Sequence, residues 1–486
     1  MGICTMGETF LYRVTESSLK LRDARGRFLS NVTNLLVYSG LFFLIHLECN
    51  GQSAGFFKIR VVDEATDRGI PLVELQTVND IRYYTDSNGL IAFNEPGLIG
   101  EEVYFHIDSH GYEYPKDGFG NQGIRLRIEL GGEAVISIKR INVAERLYRI
   151  TGQGIYRDSY LLGEPVPIEQ SLINGLVMGQ DTVMTVRYRD QLFWFWGDTD
   201  RVRYPLGQFA VSGAVSSWPP ELNPADGVNL KYFVDDSGFS RRMCPMPGPG
   251  VVWIEGLMTL QDPEGNERLV AQYARFKDLG HKLEVGLTLY NDELEVFEKW
   301  VEFSLDETLV PRGNPLRAEV AGKNYYYFGL PHPCPVPSVR VVANWEAVQH
   351  PEQYEVFTPF AAGSREFSEN ASIERDPSGN PIWAWKSNAR VFGQKEQRAW
   401  IRKGKLKPKN AWIYLRDIES GKQVYIHAGS VFWNEYRNRW ILIGEESGGS
   451  SLLGEIWYAE ADSVTGPWVY SRKIVSHNRY SEGRIA

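Results

Sequence analysis

The sequence predicts an all-β chain in which a small β-sandwich precedes a five-bladed β-propeller. Three observations carry that prediction. Aromatic residues reach 13 %, with 14 Trp and 25 Tyr, and 47 Gly interrupt them, which is the composition of short strands joined by tight turns. Residues 56 to about 150 hold some seven short apolar runs bounded by turn signals. The remainder repeats one strand–turn–aromatic strand unit five times. At 486 residues, 43 % apolar and 23 % charged, the chain is long enough for about three packed domains and too apolar for wholesale disorder. Its net charge of -9 repels phosphate, so nucleic acid is not the expected partner.

The first element is a leader, residues 1–54. Lys20, Arg22, Arg25 and Arg27 precede an apolar run, Leu35 to Leu47, and Gln52-Ser53-Ala54 follows it. A basic region, a short apolar core and small residues read as a secretory signal cut near Ala54. The run is too short to span a bilayer, so no membrane span is expected. A buried strand or helix is the other reading. Export places the chain outside the cytoplasm, periplasmic or secreted, and leaves Cys244 and Cys334 either paired or free and buried.

Residues 55–150 come next. FFKIRVVD reads as a strand, DEATDRGIPL as a polar turn, and RYYTDSNGLIAFN as two strands about a Ser-Asn-Gly turn. EVYFHID, IRLRIEL and AVISIKRI complete a small sandwich. VVDEATDRGIPLVELQTV with YYTDSNGLIAF resembles the transthyretin-like or carboxypeptidase-regulatory-like domains that precede secreted catalytic modules. The resemblance implies an immunoglobulin-like or transthyretin-like spacer without chemistry of its own.

Residues 151–486 carry the blades. The repeated pairs are DTVMTVRYRDQLFWFWGD, GLMTLQDPEGNERLVAQYARF, AEVAGKNYYYFGL, ASIERDPSGNPIWAWKS and AGSVFWNEYRNRWILIGEE. Their second strands begin near Leu192, Leu269, Tyr325, Ile382 and Trp440, in steps of 77, 56, 57 and 58 residues. A steady period near fifty with four strands per unit is a propeller signal. AWIRKG and AWIYLRD are expected to finish blade four, and GEIWYAEADSVTGPWVYSRKIV blade five. Either PIEQSLINGLVMG, before Asp181, closes the ring, or the ending is truncated.

In a propeller the site is expected at one mouth, at the ends of the first strands. Polar residues expected there are Asp181, Asp198 and Asp200 in blade one and Glu255 in blade two. Blade three offers Arg317 and Glu319, blade four Asn370, Ser372 and Glu374, and blade five His427, Ser430, Glu445 and Glu446. Several acids around one pocket suit glycoside hydrolysis, in which a protonated carboxyl donates to the leaving oxygen and an ionised one attacks or activates water. Like-charge repulsion from a third acid splits their pKa values. Asp181, Asp198 and Glu255 are the expected catalytic set. Trp196, Asp200, Arg201, Trp253, Glu319, His427 and Glu445 are the expected substrate-binding residues, with Trp194 and Trp383 as further stacking faces. The plainer alternatives are an Asp198 turn cap, a Glu255–Arg ion pair, an Asp200 pair with Arg201 or Arg203, a structural His427 and tryptophans that are core.

FWFWGDTDR, YPLGQFAVSGAVSS and the late GEIWYAEADSVTGPW resemble the five-bladed propeller glycoside hydrolases, nearest to the Gly-Asp-Thr group that includes endo-D-arabinanases. The resemblance implies a catalytic carboxylate at Asp181, a second at Asp198, and Glu319 as the nearest match to the blade-three acid. It implies a polysaccharide or oligosaccharide substrate and no cofactor. A structural calcium in the channel stays open on this likeness, although no Asp-x-Asp-x-Asp-Gly run occurs. The expected function is thus a secreted glycoside hydrolase. The alternatives are a non-catalytic carbohydrate-binding or adhesion protein, or a lyase using Tyr188, Arg187 and His427.

Overall fold

The computed structural model describes residues 55–208, 210–364, 372–450 and 453–476. The expected leader, residues 1–54, and Asn370 lie outside these. Alternating apolar residues first build a two-layer sandwich from β1 (Phe57–Asp63), β2 (Glu74–Thr77), β3 (Arg82–Tyr84), β4 (Leu90–Phe93), β5 (Glu102–Asp108), β6 (Tyr112–Glu113), β7 (Gly123–Arg127) and β8 (Glu133–Arg140). One sheet runs β4-β1-β8-β6 and the other β3-β2-β5-β7. Ile59, Val61, Ile136 and Ile138 of the first face Val73, Leu75, Phe105 and Ile107 of the second across one dry core. The Ser-Asn-Gly turn does not close a hairpin: β3 and β4 lie in different sheets. Asp86 accepts from the N–H groups of Asn88 and Leu90, turning the chain from one layer to the other. Gly89 fits there because it sits at φ +75 and a Cβ would lie 2.5 Å from the Val61 carbonyl oxygen.

Helix α1 (Arg157–Leu162) leads into β9 (Val177–Gln180), β10 (Met184–Tyr188), β11 (Gln191–Trp196), β12 (Thr199–Arg201), β13 (Tyr204–Gln208), β14 (Ser212–Ser217) and β15 (Lys231–Tyr232). Blade one is the sheet β10-β11-β14-β15, and β13-β12-β9 is a smaller sheet beside it. Blade two is the meander β16 (Val251–Gln261), β17 (Glu267–Asp278), β18 (His281–Asn291) and β19 (Val296–Glu302). Blade three is β20 (Leu316–Val320), β21 (Lys323–Gly329), β22 (Pro337–Val342) and β23 (Glu355–Thr358), extended by β24 (Ala384–Ser387). After helix α2 (Gln394–Arg402) and β25 (Ile413–Asp417), blade five is β26 (Ile426–Asn434), β27 (Arg439–Glu446), β28 (Ile456–Ala461) and β29 (Trp468–Val475). The described fold is all-β: a sandwich followed by a propeller whose blades are mainly antiparallel sheets.

The fourth blade position departs from the expected meander. Its second strand, β24, joins β23, and its last, β25, lies parallel to β29. AWIRKG belongs mostly to α2, not to a strand, because the preceding QKEQRA is made of good helix formers and Gly393 opens the turn. Trp400 then packs edge-on to Phe360 and Phe392 instead of pairing in a sheet. Among the described residues the segment before Asp181 supplies no closing strand to blade five; β9 pairs with β12. The blades share three interior seams. Phe193, Phe195 and Tyr273 join blades one and two. Val270, Phe328 and Val339 join two and three. Leu316, Phe357 and Trp457 join three and five. Among the described residues no helix is long and apolar enough to cross a membrane. Cys244 and Cys334 are free and buried, not paired, and burial pushes their thiols up to about 12 and about 11.

Candidate active site

The site begins where two strands change sheets together. Chain 177–188 and chain 191–201 run antiparallel, pairing first as β9 with β12 and then as β10 with β11. At the crossing the Asp181 N–H donates to the Asp198 carbonyl (3.2 Å), and the Gly197 N–H donates to the Asp181 carbonyl (2.9 Å). Asp181 is thereby laid over Gly197, where a Cβ would come within 2.3 Å of its Oδ1. Thr182 is held at φ +49, an unfavourable conformation for a β-branched residue. Such strain persists where the surroundings over-determine the backbone.

Blade two completes the cluster. Trp253 and Glu255 alternate onto one face of β16, and the Trp253 Nε1–H donates to Asp198 Oδ1 at 3.1 Å. Gly256, at φ +64, makes the bulge that follows Glu255 and donates its N–H to the Gly313 carbonyl at 3.0 Å. Glu255 Oε1 accepts from Arg312 at 2.5 Å. Its Oε2 accepts from the Gly313 N–H at 2.9 Å and lies 3.3 Å from His332 Nδ1. Asn314 Nδ2 donates to the Gly429 carbonyl, so the start of β26, with His427, joins the same mouth.

The three carboxyls are not in equivalent states. Burial raises the Asp181 carboxyl, and the charges of Asp198 and Asp200 raise it further. Burial likewise raises Asp198, with Asp200 adding to it and the Trp253 N–H opposing. Burial would raise Glu255 as well, but His332, Arg312 and the Gly313 N–H together outweigh it and hold that carboxyl below its ordinary range. The Asp181 and Asp198 carboxyls are thus pushed up, and the Glu255 carboxyl, on the strand that carries Trp253, is pushed down. That division suits acid/base work.

The other expected residues divide sharply. Asp200 faces the pair electrostatically. Arg201 turns away: its guanidinium donates to Ser237 Oγ at 2.8 Å and lies 4.5 Å over Phe239. Trp196 is core, stacked between Trp194 and Tyr232. Trp383 is likewise stacked between Phe357 and Phe392, which leaves Trp253 as the expected indole that reaches the carboxylates. Glu319 pairs with Asn324 beside the β20–β21 turn, exposed at the far end of the blade, because the mouth lies before the start of β20. Arg317 lines a cavity of about 540 Å³ with Asp262 and Pro263 at that far end. Tyr188, offered as a lyase base, is buried there too and donates to Asp292 at 3.0 Å, while Arg187 pairs with Asp190.

His427 sits in the β26 bulge at the mouth, its imidazole lowered by burial and by His332. Ser430 follows it on the same strand. Glu445, next to the end of β27, is raised by burial, while Glu446, its last residue, accepts from Trp457 Nε1 at 2.8 Å. Glu374 is an ion-pair partner of Lys386, and Ser372 is exposed beside it. Arg312 and His332 were not anticipated. Their only signal is a Pro-Arg-Gly-Asn turn before an expected first strand and a histidine between prolines. Among the described residues no three His, Cys, Asp or Glu side chains gather closely enough to hold a metal ion.

No family model and no curated protein matches the chain. Solved structures give slight overlaps. An exo-β-1,3-galactanase from Phanerochaete chrysosporium is 11 % identical over 61 % of this chain and 50 % of its own, with a TM-score of 0.31. A GH43_1 enzyme from Xanthomonas citri, complexed with xylose, is 14 % identical over 62 % and 74 %, with a TM-score of 0.28. An exo-β-1,3-galactanase from Clostridium thermocellum is 12 % identical over 62 % and 51 %, also at 0.28. The chain spans about half the length of the two galactanases. What the site does is read from its side chains.

Proposed function

We propose that the chain is a glycoside hydrolase acting on a polysaccharide or oligosaccharide. The observation that carries this reading is the split set of carboxyls: Asp181 and Asp198 share one mouth and are both raised, while Glu255, two residues along the strand from Trp253, is held ionised. Asp198 is the acid. Trp253 occupies its Oδ1, which leaves Oδ2 to carry the proton. The proton passes to the glycosidic oxygen as that bond breaks. Glu255, the carboxyl held ionised, takes the proton of the attacking water, and Asp181, protonated beside Asp198, hydrogen-bonds the bound sugar. The half-buried Trp253 ring offers a flat apolar face for a sugar C–H surface. The proposal includes export through the leader and a spacer role for the sandwich.

The test is reducing-end release from a panel of polysaccharides. We expect turnover by the native chain and its loss in both Asp181→Asn and Asp198→Asn, each folded by circular dichroism. Full activity in both variants overturns the reading. Glycan binding without any release in the native chain replaces it with a carbohydrate-binding role.

A further inference from the structure

We propose that His332 is a positioning residue for Glu255, holding its carboxylate ionised and aimed into the mouth when the solution turns acidic. The arrangement fixes Glu255 from three sides. Arg312 takes Oε1, and the Gly313 N–H and His332 Nδ1 share Oε2. The two cationic partners differ in access. The Arg312 side chain is 21 % exposed and Glu255 18 %, whereas His332 is 50 % exposed and open to protons from solvent. Arginine carries its charge at all working pH values, so Arg312 is a constant clamp. A histidine gains charge on acidification, over the range just above that in which carboxyls take up protons. A protonated His332 sets a second positive charge against Glu255 Oε2, beside the constant charge of Arg312 on Oε1.

The other charged groups around this contact act on the same proton. His427, at the start of β26, is near enough to His332 to be lowered by it. Lys282, on β18, faces Arg312, Glu255 and Asp306 and is lowered first by burial and then by Arg312. Of these groups, His332 alone is set against Glu255 at contact distance with a switchable charge. Its loop is held by packing, since Gly393 leaves room for Pro331, which a Cβ would meet at 2.3 Å.

The experiment has two arms, and the first does not depend on the hydrolase reading. In protein labelled with ¹³C at glutamate carboxyls, the Glu255 resonance is assigned by its loss in Glu255→Gln and titrated in native chain, His332→Ala and His332→Gln. We expect the midpoint in His332→Ala to rise by about one pH unit, a tenfold gain in proton affinity. His332→Gln, which keeps a hydrogen bond but no charge, should fall between. If His332→Ala does not fold, His332→Gln decides alone. An unchanged midpoint in folded variants overturns the proposal. The second arm follows kcat/KM against pH: the acid limb should move up by the same amount in His332→Ala, with the neutral plateau changed less. A native chain that hydrolyses nothing overturns the hydrolase reading, and the carboxyl titration then decides the positioning role.

Discussion

Asp198 follows two tryptophans in FWFWG, and its apolar flanks already pointed to a raised carboxyl. The identity of its donor was not legible, because Trp253 lies 55 positions away and reaches it only across the seam between blades. Glu255 has similar apolar flanks and behaves oppositely, since an arginine and a histidine from two later loops reach it. Local flanks report desolvation; they do not report charge partners brought in by the fold. The raised carboxyls predict a pH-dependent cost. In the folded chain Asp181 and Asp198 keep protons that the unfolded chain has released above about pH 4, so stability falls as pH rises from there through their folded values. Asp198→Asn should therefore stabilise the fold at pH 7, and the gain should vanish near pH 4. Thermal melts at the two pH values check this, and a variant less stable than the native chain at pH 7 would refute it.

The element that makes the site is the paired crossing of 177–188 and 191–201 from one sheet to the next. The sequence marked its components, a Gly-Asp-Thr turn and an Asp before a strand, as separate strand ends. Their union needed β9 to pair with β12 instead of with the last blade. Gly197 is the hinge of that union. In Gly197→Ala the new methyl meets Asp181 Oδ1, the free end of a side chain, so the carboxylate can move and the backbone need not. We expect kcat to drop at least tenfold, on the order of a misplaced catalytic group, with little change in the melting temperature. Unchanged turnover would show that the position of Asp181 does not matter. The hydrophobic rhythm anticipated every blade except the fourth. There AWIRKG reads as a strand, but the helix formers ahead of it carry Ala399 to Arg402 into α2.

On the scale of the whole molecule, residues from Phe56 onward form one compact unit. Polar contacts fasten the sandwich to helix α1 and to the residue just beyond β29. Asp86, in the turn between layers, accepts from both the N–H and the hydroxyl of Ser159 in α1, and Asp158 accepts from the Ala92 N–H. Asn142 holds Ser476 just beyond β29. Asp86 is buried, and burial raises its carboxyl against the pull of these donors. Removing it strands the Ser159 N–H and hydroxyl. Asp86→Ala should then cost about 1–3 kcal/mol and split a single thermal transition into two, seen by calorimetry. A single transition at the native temperature would refute this coupling. By itself the sequence determined most of the strands, the repeat outside the fourth blade and the placing of Asp181 and Asp198 at strand ends, because these follow from periodicity and side-chain chemistry within a few residues. Only the tertiary structure decided that Glu319, Arg201 and Trp196 stand apart from the mouth, and that Arg312 and His332 stand in it. Proximity between distant strands is set by sheet register and blade packing, and neither is written in any local stretch of residues.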